Sequence, residues 1–212
     1  MLKITALWAL GMLPAAAVDG GPEATAKTLA QAAGLKAFGK IRKVEFTFNA
    51  QVGERHIQRV WAWWPQEKRV RSLDQRLDFA LLEVTNEVKA IHAKFINDVY
   101  WLTFPFQLVW DKSATIEPVK EGVKAPLSGQ PMSKLTVFYP AKGKKAPGDA
   151  YDLFFDESGL IREWIYRKDR NSQKADLTTT WEGYRDYDGW RIALDHKGQD
   201  GFRVWFTDVK VE

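Results

Sequence analysis

The stretch VEFTFNAQVGERHIQRVWAWW, residues 44–64, decides the fold. Val44, Phe46 and Phe48 alternate with Glu45, Thr47 and Asn49, which places three apolar side chains on one face of a β-strand. Gln51 to Arg55 reads as a turn and Ile57 to Trp64 as the antiparallel return, so the pair predicts a hairpin. In the return strand Trp61 and Trp63 share one face, while Val60, Ala62 and Trp64 share the other. Apolar groups on both faces call for two packing partners, or for a sheet that curls until one face encloses a space.

The same two-sided texture recurs downstream in Tyr151 to Phe155 and Arg162 to Tyr166. It appears again in Phe202 to Val211, where Phe202, Val204 and Phe206 oppose Trp205, Val209 and Val211. These runs belong to a meander of strands at 150–156, 161–168, 175–184, 189–197 and 202–211, punctuated by Gly, Asn and Asp turns such as Asp186 to Gly189. Weaker strands are predicted at 114–119 and 133–139. Upstream, an alanine-rich segment predicts a thinly amphipathic helix over 23–38 with Gly39 as its stop. The middle, residues 86–111, breaks the alternation. Val88, Ile91, Phe95 and Val99 have helical spacing, and an almost uncharged run from Tyr100 to Trp110 follows. Pro105 predicts two short helical or irregular pieces, a candidate lid between two sets of strands. The fold class is therefore mainly β, of roughly ten strands and two helical regions.

Residues 1–17 have the layout of a secretory signal: Lys3, an apolar run from Ile4 to Leu13, Pro14, and Ala15 to Ala17. Cleavage is expected after Ala17, followed by a linker at 18–22 and one domain at 23–212. The apolar run is shorter than the roughly 20 residues that span a bilayer. The protein is thus expected in the periplasm or secreted. With no cysteine, it has no disulfide, no thiol chemistry and no acylated cysteine to anchor it in a membrane. About 195 residues remain to build a core unaided. The net charge of +4, or +3 once Lys3 leaves, is too mild and scattered to point to nucleic acid. The Lys142 to Lys145 run reads as a solvated loop, or alternatively as a contact with anionic lipid or a partner protein. Ten tryptophans, twelve phenylalanines and six tyrosines predict either a bulky core or a ring-lined cavity.

The chain resembles the LolA-like group of bacterial envelope proteins, which includes the periplasmic carrier of outer-membrane lipoproteins. The resemblance rests on Phe95 to Trp101, Pro105-Phe106, Leu108 to Asp111, Tyr151 to Asp156 and Gly159 to Ile161. It continues through Thr180 to Tyr184, Asp188 to Ile192 and Phe206 to Val209. It implies a strongly curved antiparallel sheet, an unclosed barrel, with helices plugging the open side and an apolar cavity between. It implies no catalytic residues, and the absence of an acylated cysteine separates this chain from the membrane-anchored relatives.

Few residues carry the marks of chemistry. His56, His92 and His196 are far apart and show no ligand spacing for a metal. No serine lies in a nucleophile elbow, and Asp195 and His196 point to opposite faces of a strand. Gly143 to Lys145 lacks the setting of a phosphate loop. No cofactor is expected. Asn97 and Asp98 are the polar residues in an apolar setting; Asp98 and Tyr100 either orient a ligand's polar end, or Asn97 and Asp98 cap the helix. Arg59 and Arg162 are either surface ion-pair members or cations at a cavity mouth. Ring density nominates Phe46, Phe48, Trp61, Trp63, Phe79, Phe95, Trp101, Phe104, Phe106, Trp164, Tyr166 and Trp181 as a ligand cavity, with Asp98 and Tyr100. The expected function is a soluble carrier or binding protein for a lipid, acyl chain or other apolar molecule, with an acylated protein or a membrane surface as further partners. The alternative is an enzyme using Asp98 or His196 as a lone proton-transfer group.

Overall fold

The structure, a computed structural model, describes residues 20–140 and 148–212. The signal segment and the Lys142 to Lys145 run lie outside the described residues. Two helices come first among the described residues, α1 (Pro22–Ala32) and α2 (Leu35–Phe38), followed by strands β1 (Val44–Val52), β2 (Arg55–Trp64), β3 (Arg69–Ser72) and β4 (Leu77–Ala80). Helix α3 (Lys89–Trp110) leads into β5 (Thr115–Ile116), β6 (Lys120–Lys124), β7 (Pro131–Phe138), β8 (Ala150–Phe155) and β9 (Ile161–Arg167). The chain ends in β10 (Leu177–Thr180), β11 (Arg185–Tyr187), β12 (Trp190–Ile192), β13 (Asp195–Lys197) and β14 (Arg203–Val211).

The hairpin of β1 and β2 forms with Val52 opposite Arg55 and Phe46 opposite Trp61. It lies inside an antiparallel sheet of order β13-β14-β1-β2-β3-β4. A second sheet runs β10-β9-β8-β7-β5, with β6 also on β7. Bridges from Thr179 to Gly198 and from Glu182 to Asp195 join the two through β10 and β13. The result is one strongly curved strip whose ends, β4 and the β5–β6 pair, do not meet among the described residues. The half-barrel architecture expected from the sequence is therefore present.

Several local expectations need correction. The segment 89–110 is a single helix despite Pro105, not two pieces. Proline costs a helix interior about 3 kcal/mol because it lacks the N–H and crowds the preceding turn. Here every residue from Trp101 to Leu108 is buried. Burial at about 1.5–3 kcal/mol per large apolar side chain outweighs that cost. Nor is α3 a lid: it runs along the concave side, its rings meeting those of β2, β8 and β9.

The helix expected over 23–38 breaks at Gly34, whose φ of 94° admits glycine readily. A Cβ there would lie 2.0 Å from the Gly189 carbonyl oxygen. That close approach docks the α1–α2 elbow on the β11–β12 hairpin, where Arg191 N–H donates to Ala33 O at 3.0 Å. The hairpin's own two-residue turn is Asp188-Gly189, both at positive φ, where the sequence suggested only a break between longer strands. The predicted strand 189–197 turns a corner at Ala193-Leu194, so β12 and β13 belong to different sheets.

The opposition of faces within β14 also fails, because of a bulge. Phe206 pairs with Phe48 and Val211 with Val44, so the six residues from Phe206 to Val211 match the five from Val44 to Phe48. Asp208, at φ 54°, is at the bulge and accepts from Thr47 Oγ1 at 3.1 Å. Val209 and Val211 thereby join Val204 and Phe206 on the concave face. On the convex face of this sheet, Trp64 and Trp205 are half-buried. Arg69 lies 3.6 Å over the Trp64 ring, and His56 stacks on Trp205 at 5.3 Å with Arg203 beside it. The convex face of the second sheet is covered by the 125–130 loop, whose Leu127 and Ser128 N–H groups donate to buried Glu163.

Candidate functional site

A cavity of about 630 Å³ opens at the β1–β2 hairpin end of the half-barrel. The two sheets diverge there around the N-terminal half of α3. From the first sheet Phe48, Ala50, Val52, Ile57, Arg59 and Val204 line it; from the second, Tyr151, Trp164, Tyr166 and Leu177, with Asp149 just ahead of β8. Ile96, Asn97, Val99, Tyr100 and Trp101 form the helical wall, and Phe202 closes one side. Strand period explains the first set: alternate residues of β1 and β2 face inward, and the even-numbered residues at the end of β1 stand opposite Ile57 and Arg59. The rim is apolar and open to solvent, with Val52 50 % and Ile96 41 % exposed.

The ring-based nomination splits in two. Phe48, Tyr100, Trp101, Trp164 and Tyr166 line the cavity. Phe46, Trp61, Trp63, Phe79, Phe95, Phe104, Phe106 and Trp181 are packed into the core behind it. Phe95, for example, meets Trp61 edge-on at 5.4 Å and Trp63 at 5.8 Å. Ring density cannot tell these classes apart, because both are formed by bulky inward-facing residues. Tyr151, Asp149 and Phe202 were missed. Tyr151 stands opposite Tyr166, a pairing readable from the 157–159 turn once its neighbouring register shift is counted.

Asp98 neither caps α3 nor lines the cavity. It sits within the helix with no exposure, accepting from Arg59 Nε at 2.6 Å, Arg59 Nη2 at 2.5 Å, Trp61 Nε1 at 2.9 Å and Asn97 Nδ2 at 3.1 Å. Burial pushes its carboxyl up, while the Arg59, Asn97 and Trp61 donors pull it back. Arg59 is thus both an ion-pair member and a cavity residue, its guanidinium 4.7 Å over the Phe48 ring. Arg162 instead pairs with Asp156 at 2.5 Å near the surface.

Across the cavity the tyrosines form a chain of hydroxyls. Tyr100 donates to Tyr139 at 3.4 Å, and Tyr166 donates to Asp149 at 3.3 Å. Burial raises the phenol pKa of Tyr100 and Tyr151, and burial with the Asp149 charge raises that of Tyr166 to about 12, so all three remain neutral donors. Burial also pushes the Asp149 carboxyl up, against the hydrogen bonds from Tyr166 and Tyr151.

His196, the other nominated proton-transfer group, is sealed between Trp181 at 4.5 Å and Trp101 at 5.0 Å and has no exposure. Burial lowers its pKa to about 3, offset only in part by the backbone at Thr180 and Ala193. It is therefore a neutral ring in an aromatic wall. Among the described residues no group of acids and histidines is placed to hold a metal, and no helix is long and apolar enough to cross a membrane. The arrangement can enclose an apolar body and meet a polar end with hydroxyls and one carboxylate.

No family model matches the sequence, and comparison with curated proteins finds no match. Among solved structures, a DUF1329 family protein from Desulfovibrio piger has a TM-score of 0.52 and 9% identity, covering 90% of this chain and 93% of its own. A domain from Vibrio parahaemolyticus described as an outer membrane lipoprotein-sorting protein has a TM-score of 0.47 and 10% identity, covering 80% and 85%. Identities this low speak to the shape of the chain and not to its ligand, and the first of these likenesses shows that the curved half-barrel is a fold this chain shares with a known structure.

Proposed function

We propose that this protein is a periplasmic or secreted binding or carrier protein that holds a lipid, acyl chain or other apolar molecule in the cavity between its two sheets. The observation that carries the reading is the cavity: about 630 Å³, lined by rings and aliphatic groups, and opening past exposed Val52 and Ile96. Its volume falls within the roughly 300–1,000 Å³ typical of small-molecule sites. An apolar rim of this kind lets a chain pass from a membrane or an acylated protein without crossing a polar barrier. The signal-like residues 1–17 support export. A proton-transfer role has little support, since both Asp98 oxygens are occupied by donors and His196 is enclosed.

The test is native mass spectrometry of the purified protein with organic extraction of any added mass, together with titration by 1-dodecanol followed through tryptophan fluorescence, which Trp101 and Trp164 should report. Ala50→Phe, which places a ring in the cavity from a strand position, should abolish retention and quenching while the far-UV circular dichroism stays unchanged. A protein that purifies bare and is not quenched by dodecanol ends the proposal.

A further inference from the structure

We propose that the polar end of the bound molecule is a cation, an alkylammonium or similar amine, seated against Asp149 among tyrosine rings. This rests on the cavity reading above and specifies its ligand class. Arg59 and Asp149 are the charged side chains on the cavity wall, and they differ in kind. Arg59 is already committed: two of its nitrogens donate to Asp98, which has no exposure, so that wall carries a cation and an anion together. A carboxylate or phosphate arriving there gains little unless it displaces a buried partner.

Asp149 has no such ion-pair partner among the described residues. Tyr166 donates to it at 3.3 Å and Tyr151 supports it, but both are neutral. Among the described residues no Lys or Arg nitrogen lies within 4.0 Å of its carboxylate. Lys168 and Asp176 act on it from farther away with opposite signs. Among the described residues, the cavity wall therefore holds one negative group with no cation in contact. That its carboxyl is pushed up by burial has the same meaning: the charged form is under-supported, and an ammonium group would supply the missing partner. The surrounding rings suit the same ligand. Tyr151 lies 5.2 Å from both Tyr166 and Trp164, and ring faces attract cations through their quadrupole.

The experiment compares dodecylammonium, 1-dodecanol, dodecanoate and N-dodecylacetamide, each below its aggregation concentration at pH 7, by tryptophan quenching with circular dichroism to verify the fold. Dodecylammonium should bind at least about tenfold more tightly than dodecanol, as a charge-assisted contact does over a neutral one. Dodecanoate should bind most weakly, and Asp149→Asn should bring the amine to the alcohol's affinity. N-dodecylacetamide removes the charge from the ligand instead, and should lose the same factor in the unaltered protein even if the variant does not fold. Amine affinity no greater than that of the alcohol or the acetamide, or dodecanoate binding tightest, overturns the cation assignment and leaves the cavity reading standing. If none of the four binds, the cavity reading itself fails and this inference falls with it.

Discussion

At one end of the half-barrel, Phe38 of α2 sits among Trp63, Phe106, Trp110 and Trp190 at ring distances of 5.0 to 5.6 Å. At the other end Phe48, Tyr100, Tyr151, Tyr166 and Phe202 surround space. The two ends have the same raw material, inward-facing rings on the same curved strip and the same helix. What differs is a plug. The α1–α2 elbow, fixed against the β11–β12 hairpin by the contact at Gly34, delivers Phe38 into the first end. No described element delivers a ring into the second. A curled sheet with aromatic faces becomes core or cavity according to whether a neighbouring segment closes it.

The largest effect expected from this contrast is at the plug. Phe38→Ala should cost about 3–5 kcal/mol, the usual loss for a phenylalanine removed from a packed core. Phe202→Ala, at the open end, should cost about 1 kcal/mol, since its neighbours already border empty space. Urea unfolding monitored by circular dichroism, with the denaturant slope unchanged, measures both. Equal losses would mean that the open end is packed as tightly as the closed one, and the distinction would be lost.

The Arg59–Asp98 pair bridges the cavity wall and the core, and it should respond nearly as strongly. Asp98→Ala leaves a largely buried guanidinium without its carboxylate and should cost about 3 kcal/mol. Arg59→Met combined with Asp98→Leu should recover most of that loss, because an apolar pair of similar volume needs no compensation. A double variant as unstable as the single one would show that the pair's hydrogen bonds to Trp61 and Asn97, and not its buried charge, dominate.

His196, in the wall behind Trp101, gives a pH signature. Its folded pKa of about 3 lies below the value near 6.5 of an unfolded histidine, so only the unfolded chain takes up its proton between those limits. Stability from this residue is complete above pH 6.5 and is lost as pH falls toward 3. Between pH 7 and 4.5 the loss attributable to it is about 2–3 kcal/mol, at about 1.4 kcal/mol per unit. His196→Phe should flatten the acid limb of the stability curve by that amount while carboxylate contributions remain. An unchanged limb would mean that the ring is solvated in the native state.

How far the sequence reached can be read from the same elements. The β1–β2 hairpin was legible because alternation survives over nine residues on β1 and the turn is short. Strands β3 and β4 were not, since four residues such as Arg69 to Ser72 are too few to show a period. The continuity of α3 was hidden by Pro105, a local rule overridden by burial on all sides. The true face of Val209 and Val211 was hidden by the Asp208 bulge, a backbone choice that inverts every later assignment. Five of the nominated rings line the cavity, but its extent depends on where packing stops, and no residue type marks that. Asp149 escaped notice because its place on the cavity wall, with no described cation in contact, is a property of three-dimensional placement.

The smallest expected change is at the rim. Ile96→Ser removes exposed apolar surface at the cavity mouth, so the folded state should lose no more than about 0.5 kcal/mol. A ligand whose chain crosses that rim would lose contact area, and dodecanol should bind several-fold more weakly, at roughly 25 cal/mol for each Å² no longer covered. Leu82→Ser, at a still more exposed apolar residue that does not line the cavity, should change neither quantity. If both substitutions weaken binding alike, the ligand is held by general surface hydrophobicity, and the open end is no more a site than any other apolar patch. If only Ile96→Ser does, a change invisible in stability marks the mouth of the cavity, the converse of Phe38→Ala at the closed end.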